Sequence, residues 1–179
     1  MFYVGELLSD SVIVWDIAQS RSLYKEGYYG KPLGIPKPKD FNFNTPLVLD
    51  LVEALYLAKK QKLKVIRQSK EMTPEELEQH ASMIDKNFPS RYKVYEDLRE
   101  RGFVVLPGIK FGSDFAAYRH GPGIDHAPFI IQVKTENEGL SALEIIRSGR
   151  LATSVKKHFT ISVPTDQKVV YLMFEWWKA

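Results

Sequence analysis

Apolar and polar positions alternate at the start of the chain. Residues Phe2 to Ser20 follow this pattern around an Asp-Ser turn, which predicts short antiparallel strands. Thr45-Pro46 predicts the start of a helix, with proline at the first helical position and a wide apolar face that continues through Lys59. Leu63-Lys64-Val65-Ile66 predicts another strand. The first part of the chain is therefore expected to combine strands with a helix.

A capping box predicts the next helix. Thr73-Pro74-Glu75-Glu76 has the Thr and Glu spacing that satisfies the first backbone N–H groups of a helix. Leu77, Ala81 and Ile84 then lie on one helical face and are expected to point inward. The stretch Asn87 to Ser90 interrupts the pattern, so we expect a domain boundary near residue 85.

The second half begins with a charged amphipathic helix from Tyr92 to Arg99, which Gly102 is expected to end. Three strands are predicted next, over residues 103–106, 109–118 and 129–134. A capping box at Ser141 predicts a helix through about Ser154, which Gly149 is expected to weaken or interrupt. Two final strands are predicted over residues 158–163 and 168–176.

These elements predict an α/β (α+β) protein with two domains. A small N-terminal α/β domain is expected over residues 1–84, and a C-terminal α/β domain with a central mixed sheet over residues 85–179. The chain is long enough to bury a sizeable core without disulfides or a structural metal.

One stretch of the first domain follows neither the helical nor the strand pattern. Residues 31–40 read K-P-L-G-I-P-K-P-K-D, and prolines at this density remove backbone donors and favour extended angles. An exposed basic loop of polyproline character is expected here, carrying Lys31, Lys37 and Lys39.

Composition narrows the functional classes. The chain has no cysteine, which excludes disulfides, thiolate zinc sites and a thiol nucleophile and fits a reducing compartment. No apolar run has the length of a membrane span or a signal peptide, so we expect a cytoplasmic protein that does not bind membranes. The formal charge of +3 favours a polyanionic partner only weakly.

Three segments of the second half resemble a known family. Residues 92–118 read Y-x-x-Y-x-D-L-R-x-R-G-F-x-V-x-x-G-x-K-F-G-x-D-F-x-x-Y, Asp125-His126 precedes an apolar strand, and Ser154-Val155-x-Lys157 follows downstream. In this order the segments resemble the catalytic domain of tRNA-splicing endonucleases, especially those of archaea. Gly30 and the run over residues 51–57 resemble the amino-terminal domain of the same family more loosely.

The resemblance implies an endoribonuclease with a nuclease-like C-terminal domain. Its substrate would be precursor tRNA, cut at bulge–helix–bulge junctions to leave a 2′,3′-cyclic phosphate and a 5′-hydroxyl, with no metal and no cofactor. The family's catalytic Tyr, His and Lys fall on Tyr118, His126 and Lys157.

These residue types suit that chemistry. RNA supplies its own nucleophile, the ribose 2′-hydroxyl, so the protein needs a base, an acid and a cation. Tyr118 is the candidate base, although a phenol of ordinary pKa, about 10, needs a neighbouring cation to ionise it at neutral pH. Lys157 is the candidate cation, with Lys156 as its rival, and would also stabilise charge on the phosphate oxygens. His126 is the candidate acid for the leaving oxygen.

Other residues match positions that hold the substrate or the assembly. Arg150 and Trp176 match a pair that grips a flipped nucleotide by stacking and cation–π contact. The loop lysines Lys31, Lys37 and Lys39 resemble an insertion that contacts RNA in members acting with a paralogous subunit. Asp166 matches an acidic loop that docks onto a neighbouring dimer. A tetramer is implied, either of identical chains or as an α2β2 heterotetramer.

Two other functions are compatible with parts of the sequence. Asp114 or Asp125, upstream of Gln132-Val133-Lys134, imitates the pattern of restriction-type nucleases that hold Mg²⁺ through carboxylate and amide oxygens. A non-catalytic structural subunit that binds RNA would keep the same fold, but such a subunit is expected to lack the Tyr, His and Lys set.

Overall fold

A computed structural model describes residues 2–36, 38–109, 112–124 and 127–174. The chain divides into two compact units, Met1–Pro89 and Ser90–Ala179. Each unit contains helices and a mixed sheet, so the predicted α/β (α+β) fold class with two successive α/β domains is confirmed. Within the described part of the chain, no helix is both long and apolar enough to cross a membrane.

The first unit is built on a six-stranded sheet in the order β3-β4-β2-β1-β5-β6. Its strands are β1 (Tyr3–Leu7), β2 (Ser11–Val14), β3 (Lys31–Pro32), β4 (Leu47–Asp50), β5 (Leu63–Arg67) and β6 (Lys70–Met72). Strands β1 and β5 pair in parallel, and the other neighbours are antiparallel. Three helices accompany the sheet, α1 (Ile17–Gly27), α2 (Leu51–Lys59) and α3 (Pro74–Ile84).

Helix α1 corrects the prediction for the start of the chain. The expected strands exist as β1 and β2, but residues 17–20, which were expected to continue them, are helical. Asp16 caps this helix, because its carboxylate accepts a hydrogen bond from the Gln19 N–H at 2.7 Å. At the other end Tyr28 adopts a left-handed conformation with φ 56° and donates its N–H to the Tyr24 carbonyl.

The predicted helix start at Thr45-Pro46 is wrong. Residues Leu47–Asp50 form strand β4, which pairs with both β2 and β3, and the helix begins four residues later than the start of that strand. Asp50 and Glu53 form a capping box at the start of α2. The apolar run 47–57 therefore splits into a strand and a helix, because the local carboxylates cap the chain at residue 50.

The surroundings of Gly30 require glycine at this position, and Glu53 holds its backbone. Its side chain is 2% exposed, and its second carboxylate oxygen accepts a hydrogen bond from the Gly30 N–H at 2.9 Å. Gly30 has φ 71°, and a Cβ atom there would lie 2.7 Å from the Val48 carbonyl oxygen. Only glycine fits this close approach to strand β4.

The basic loop is anchored at both ends. At its start β3 pairs with β4, and the Leu33 N–H donates to the Pro46 carbonyl at 2.8 Å. At its end the Arg21 side chain donates to the Phe43 carbonyl at 2.7 Å. Aromatic rings pack around the same point, with Tyr24 contacting Tyr28, Phe41 and Phe43.

Helix α3 begins as predicted, with Thr73 and Glu76 forming the capping box. Leu77 and Ala81 are buried as expected, but Ile84 is 51% exposed, so its inward assignment is wrong. The short strand β6 was not predicted, since its sequence Lys70-Glu71-Met72 carries little apolar signal.

The second unit contains a five-stranded sheet in the order β11-β10-β9-β8-β7. Its strands are β7 (Val104–Pro107), β8 (Phe115–Tyr118), β9 (Phe129–Val133), β10 (His158–Pro164) and β11 (Val169–Phe174). Strands β9 and β10 pair in parallel, and the other neighbours are antiparallel. Helix α4 (Phe88–Glu100) precedes the sheet, and helix α5 (Ala142–Ser154) connects β9 to β10.

Two predictions for this unit need correction. The strand expected over residues 109–118 is shorter, because β8 begins only at Phe115 and the Gly108 N–H donates to the Asp114 carbonyl at 2.9 Å just before it. Residues 110 and 111 of the expected strand lie outside the described part of the chain. Helix α4 begins at Phe88, inside the stretch expected to interrupt the chain. By contrast, α5 runs through Gly149 to Ser154, and its capping box at Ser141 and Glu144 is confirmed.

Several motif residues of α4 hold this unit together. Arg99 is 8% exposed, and it donates to the Tyr95 hydroxyl at 2.8 Å and to the Val105 carbonyl on β7 at 3.1 Å. The Tyr171 hydroxyl on β11 donates to the Asp97 carboxylate at 2.6 Å. Burial, together with this carboxylate, raises the pKa of Tyr171 well above its usual value. These polar residues therefore attach α4 to the two edge strands of the sheet, β7 and β11.

Candidate active site

The register of the C-terminal sheet brings three chain segments to one end. Tyr118 is the last residue of β8, whereas Phe129 and His158 are the first residues of β9 and β10. Ala117 pairs with Phe129, and Phe129 pairs with His158. Neighbouring strands lie about 4.8 Å apart, so the ends of β8 and β10 are separated by about 10 Å. Tyrosine and lysine side chains can span such a distance together.

Tyr118 lies on the same side of this sheet as helix α5. Alternation along β8 places it on the face of Ala116, which pairs with Ile130 and through it with Phe159. Ala152 of α5 packs against Phe159, so α5 covers that face. The Tyr118 side chain is only partly buried.

Lys157 is placed by its own backbone and by its amine. Its N–H donates to the Ala152 carbonyl at 2.8 Å, which closes the end of α5, and its Nζ donates to the Ala127 carbonyl at 2.6 Å. Lys156, the rival, has φ 55° and an exposed side chain. The amine of Lys157 is therefore held by the segment that leads into β9, through the carbonyl of Ala127, the residue directly after His126.

Three of the predicted site residues lie outside the described part of the chain: Lys37 of the basic loop, His126 and Trp176. Arg150 is described, and it lies exposed on α5, seven positions before Lys157. Lys31 and Lys39 are both exposed, at the start and near the end of the basic loop.

Asp166 lies exposed in the turn between β10 and β11. The turn is closed by the Thr165 N–H and the Lys168 carbonyl at 2.8 Å, and the Lys93 amine donates to the Thr165 carbonyl. Helix α4 thus supports the backbone of this turn, while the Asp166 side chain faces outward.

The carboxylate of Asp114, proposed as a magnesium ligand in the alternative reading, has other partners. One of its oxygens accepts from the Val133 N–H at 2.8 Å, and the other lies 3.3 Å from the Arg91 side chain. Lys134, the partner lysine in that pattern, has its amine 3.1 Å from Glu144. Both side chains join secondary-structure elements, so nothing in their contacts favours the metal-dependent reading. Asp125 lies outside the described residues.

Comparison with known sequences decides the family. Residues 88–171 match the family described as tRNA intron endonuclease, catalytic C-terminal domain, and residues 3–78 match the tRNA intron endonuclease, N-terminal domain. The tRNA-splicing endonuclease of Hyperthermus butylicus is 45% identical over 175 residues, which cover 96% of this chain and 97% of that protein. This chain belongs to the tRNA-splicing endonuclease family.

Other archaeal tRNA-splicing endonucleases support the same assignment. That of Sulfurisphaera tokodaii is 43% identical over 178 residues, covering 98% of this chain and 99% of that protein. That of Pyrobaculum islandicum is 44% identical over 180 residues, covering 97% and 98%. The predicted family and the predicted enzyme class are both confirmed, and the two family domains follow each other in the expected order.

Sequence reasoning missed one partner in this site, the carbonyl of Ala127. A backbone oxygen carries no signal in the side-chain pattern, so only the fold could reveal that it orients Lys157. In the fold, β9 and β10 pair in parallel and their starts follow Ala127-Pro128 and Lys157, so the carbonyl and the amine meet at the same end of the sheet.

Proposed function

We propose that this chain cuts precursor tRNA at both ends of its introns, at bulge–helix–bulge junctions. Membership of the family supports tRNA intron excision. The proposal adds the chemistry, a transesterification in which the ribose 2′-oxygen attacks the neighbouring phosphorus without a metal. The bond from phosphorus to the 5′-oxygen breaks, leaving a 2′,3′-cyclic phosphate and a 5′-hydroxyl.

Three residues take the roles that this reaction requires. Tyr118 accepts the proton of the 2′-hydroxyl, His126 donates a proton to the departing 5′-oxygen, and Lys157 stabilises the charge that develops on the non-bridging oxygens. An ammonium group has three donors. The bond to Ala127 uses one of them, so two remain for phosphate oxygens.

The observation that carries the proposal is the position of the Lys157 amine. It lies 2.6 Å from the carbonyl of the residue after His126, at the end of the sheet where β8 ends with Tyr118. Tyr118, Lys157 and the residue after His126 lie at the same end of this sheet, although Tyr118 and Lys157 are 39 positions apart in the sequence, and this supports the proposal. Such convergence is what general acid–base catalysis needs.

The test is to incubate the purified chain with an intron-bearing precursor tRNA in EDTA and to analyse the product ends. Products with a 2′,3′-cyclic phosphate and a 5′-hydroxyl are expected. Products with a 5′-phosphate, or activity that requires added Mg²⁺, would contradict the proposed chemistry. If the chain is inactive alone, the same assay with a paralogous subunit distinguishes a heterotetramer from a homotetramer.

Substrate contacts extend the proposal beyond the reacting phosphate. Arg150 and Trp176 would grip a flipped bulge nucleotide, worth about 1–3 kcal/mol per stacked base. The exposure of Arg150 on the α5 side of the sheet supports its part. Lys31, Lys37 and Lys39 would contact the RNA backbone, and the anchoring of their loop at both ends supports a fixed presentation.

Two cuts require two active sites, so the proposed assembly contains more than one chain. By resemblance to the family we propose a tetramer, a dimer of dimers, in which Asp166 docks onto a neighbouring dimer. The outward side chain of Asp166, on a turn braced by Lys93, supports this role. A cytoplasmic location belongs to the same proposal, because precursor tRNA is the substrate. Sedimentation of wild type and Asp166→Ala tests the assembly, with a smaller species expected for the variant.

A further inference from the structure

The hairpin of β5 and β6 in the first unit has unusual turn residues. Gln68 and Ser69 form its tip, and both are left-handed, with φ 49° and φ 65°. Such two-residue turns usually contain Asn-Gly, because side chains larger than hydrogen crowd the backbone in this region. Neither residue at this tip is glycine or asparagine, so the turn is held at a local cost.

The same tip places two like charges opposite each other. Arg67 and Lys70 are a directly paired position across the antiparallel strands, so their side chains leave the same face. Like charges at such a pair destabilise a hairpin. Glu71, which could balance them, lies on the other face, where it binds Lys64 at 3.1 Å. Local rules broken at one point of a fold are expected mainly at functional sites.

Helix α3 completes a surface cavity of about 290 Å³ beside this pair. Arg67 and Lys70 line it together with Glu76 and His80. The Glu76 carboxylate already accepts from the Thr73 N–H at 2.9 Å in the capping box, and the Lys70 amine lies 3.7 Å from it with 80% of its side chain exposed. The two cations therefore exceed the one carboxylate.

His80 orients Arg67 within the cavity. Its Nε2 lies 3.0 Å from the Ser9 carbonyl, which only accepts, so Nε2 carries the proton. In the neutral ring Nδ1 is then an acceptor, and it faces Arg67 across 3.5 Å. The imidazole therefore offers an acceptor to the guanidinium of Arg67.

We propose that this cavity binds a backbone phosphate of the RNA substrate, at a point separate from the catalytic residues. The inference rests on the proposed function for the identity of the polyanion. Arginine and lysine from one face offer a planar fork and a point charge, which together match phosphate oxygens. This contact adds to substrate affinity and takes no part in the chemical step.

The first test compares Arg67→Gln/Lys70→Gln with Lys25→Gln/Lys60→Gln, which removes the same charge from the same unit outside the cavity. Binding of precursor tRNA is measured over a range of salt concentrations. The cavity variant should bind less tightly and lose about 1 from the slope of log Kd against log salt, as expected for one phosphate contact. The control and Arg67→Lys/Lys70→Arg should keep the wild-type slope.

Further readouts separate this proposal from others. The cavity variant should keep the wild-type cleavage rate at saturating RNA and a Tm no lower than wild type, because relief of the like-charge pair offsets lost contacts. A lower Tm with an unchanged slope would overturn the inference in favour of a structural role. Equal slopes for variant and control would also overturn it. Wild type that fails to cleave precursor tRNA would instead contradict the proposed function.

A proximity experiment locates the RNA directly. The chain has no cysteine, so Ser69→Cys creates a single attachment point for a reagent that cleaves nearby RNA by hydroxyl radicals. Cuts at defined nucleotides are expected from position 69, in contrast to a Lys25→Cys control. Absence of cuts in bound RNA, or binding of inorganic phosphate at the cavity that leaves RNA affinity unchanged, would overturn the assignment to RNA.

Discussion

The end of the C-terminal sheet and the tip of the β5–β6 hairpin both present cations, but they hold them differently. Lys157 is tied through its amine to the Ala127 carbonyl at 2.6 Å and through its N–H to α5. Arg67 and Lys70 face each other on a hairpin tip, and the amine of Lys70 is largely exposed. A fixed amine suits a reaction in which small displacements are costly. An exposed pair suits long-range attraction to a phosphate, which does not depend on a preformed contact of this kind.

The largest effect is expected at the sheet end. Tyr118→Phe removes the proposed base but keeps the ring, so cleavage should slow by about 10²–10⁴-fold while RNA binding stays near wild type. Single-turnover cleavage of precursor tRNA measures the rate. Tyr28→Phe, a matched loss of a hydroxyl in the first unit, should leave the cleavage rate unchanged. If Tyr28→Phe slowed cleavage as much as Tyr118→Phe, the special role of the Tyr118 hydroxyl would be contradicted.

The two adjacent lysines sharpen the comparison next. Lys157→Ala should reduce the cleavage rate by about 10²–10³-fold, the range found when one group that stabilises transition-state charge is removed. Lys156→Ala should have a much smaller effect, confined to RNA affinity, because its exposed side chain lacks the bond to Ala127. Equal losses of rate in the two variants would show that the amine of Lys157 has no special position.

A structural cation gives a third kind of behaviour. Arg99 is buried and joins Tyr95 to β7, so Arg99→Ala should lower the free energy of unfolding by about 3 kcal/mol through unpaired polar groups and lost packing. Tyr95→Phe should lower it by about 1 kcal/mol, since it removes only the hydroxyl. Chemical denaturation measures both. A stability loss as large for Arg67→Ala would contradict the separation between structural and ligand-binding cations.

The smallest effect concerns pH and α5, the helix that leads to Lys157. The Ser141 N–H and the Lys134 amine lower the pKa of Glu144 to about 2. Because the pKa of Glu144 is lower in the folded than in the unfolded chain, the charged carboxylate stabilises the fold fully at pH values above its ordinary pKa of about 4.5. This stabilisation is lost as the pH falls from about 4.5 towards 2. Glu144→Gln should therefore have a lower Tm than wild type at pH 7. The two Tm values should converge near pH 2, and a difference that does not change with pH would contradict this account.

The sequence predicted the elements whose signals are local. The capping boxes at Thr73 and Ser141 and the strand after residue 63 all form where the pattern placed them. Helix α1 was missed because its start depends on a single capping aspartate, Asp16, in a region of alternating residues. The helix start at Thr45-Pro46 failed for two reasons. Pairing of β4 with β2 is a long-range effect that outweighed the proline signal, and the local capping box of Asp50 and Glu53 starts the helix at residue 51.

The candidate site was partly predictable for the same reason. The family motif identified Tyr118, His126 and Lys157 as residue types in order, but the placement of Tyr118 and Lys157 at one end of a sheet depends on strand register. The bond from Lys157 to Ala127 cannot be read from spacing, because it joins distant segments through the fold. The opposition of Arg67 and Lys70 is local, but it depends on a two-residue turn at Gln68 and Ser69, which lacks the glycine or asparagine that would signal it. The placement of His126 stays a prediction.

The parallel pairing of β9 and β10 has a consequence for how such a site can evolve. The chain leaves β9 at its C-terminal end, crosses over through α5 and enters β10 at the end of the sheet where β9 began. The loop over residues 135–140 lies at the opposite end of the strands. Insertions in this loop would lengthen the connection from β9 to α5 without moving Lys157, so the loop can change in length and sequence while the position of Lys157 stays the same.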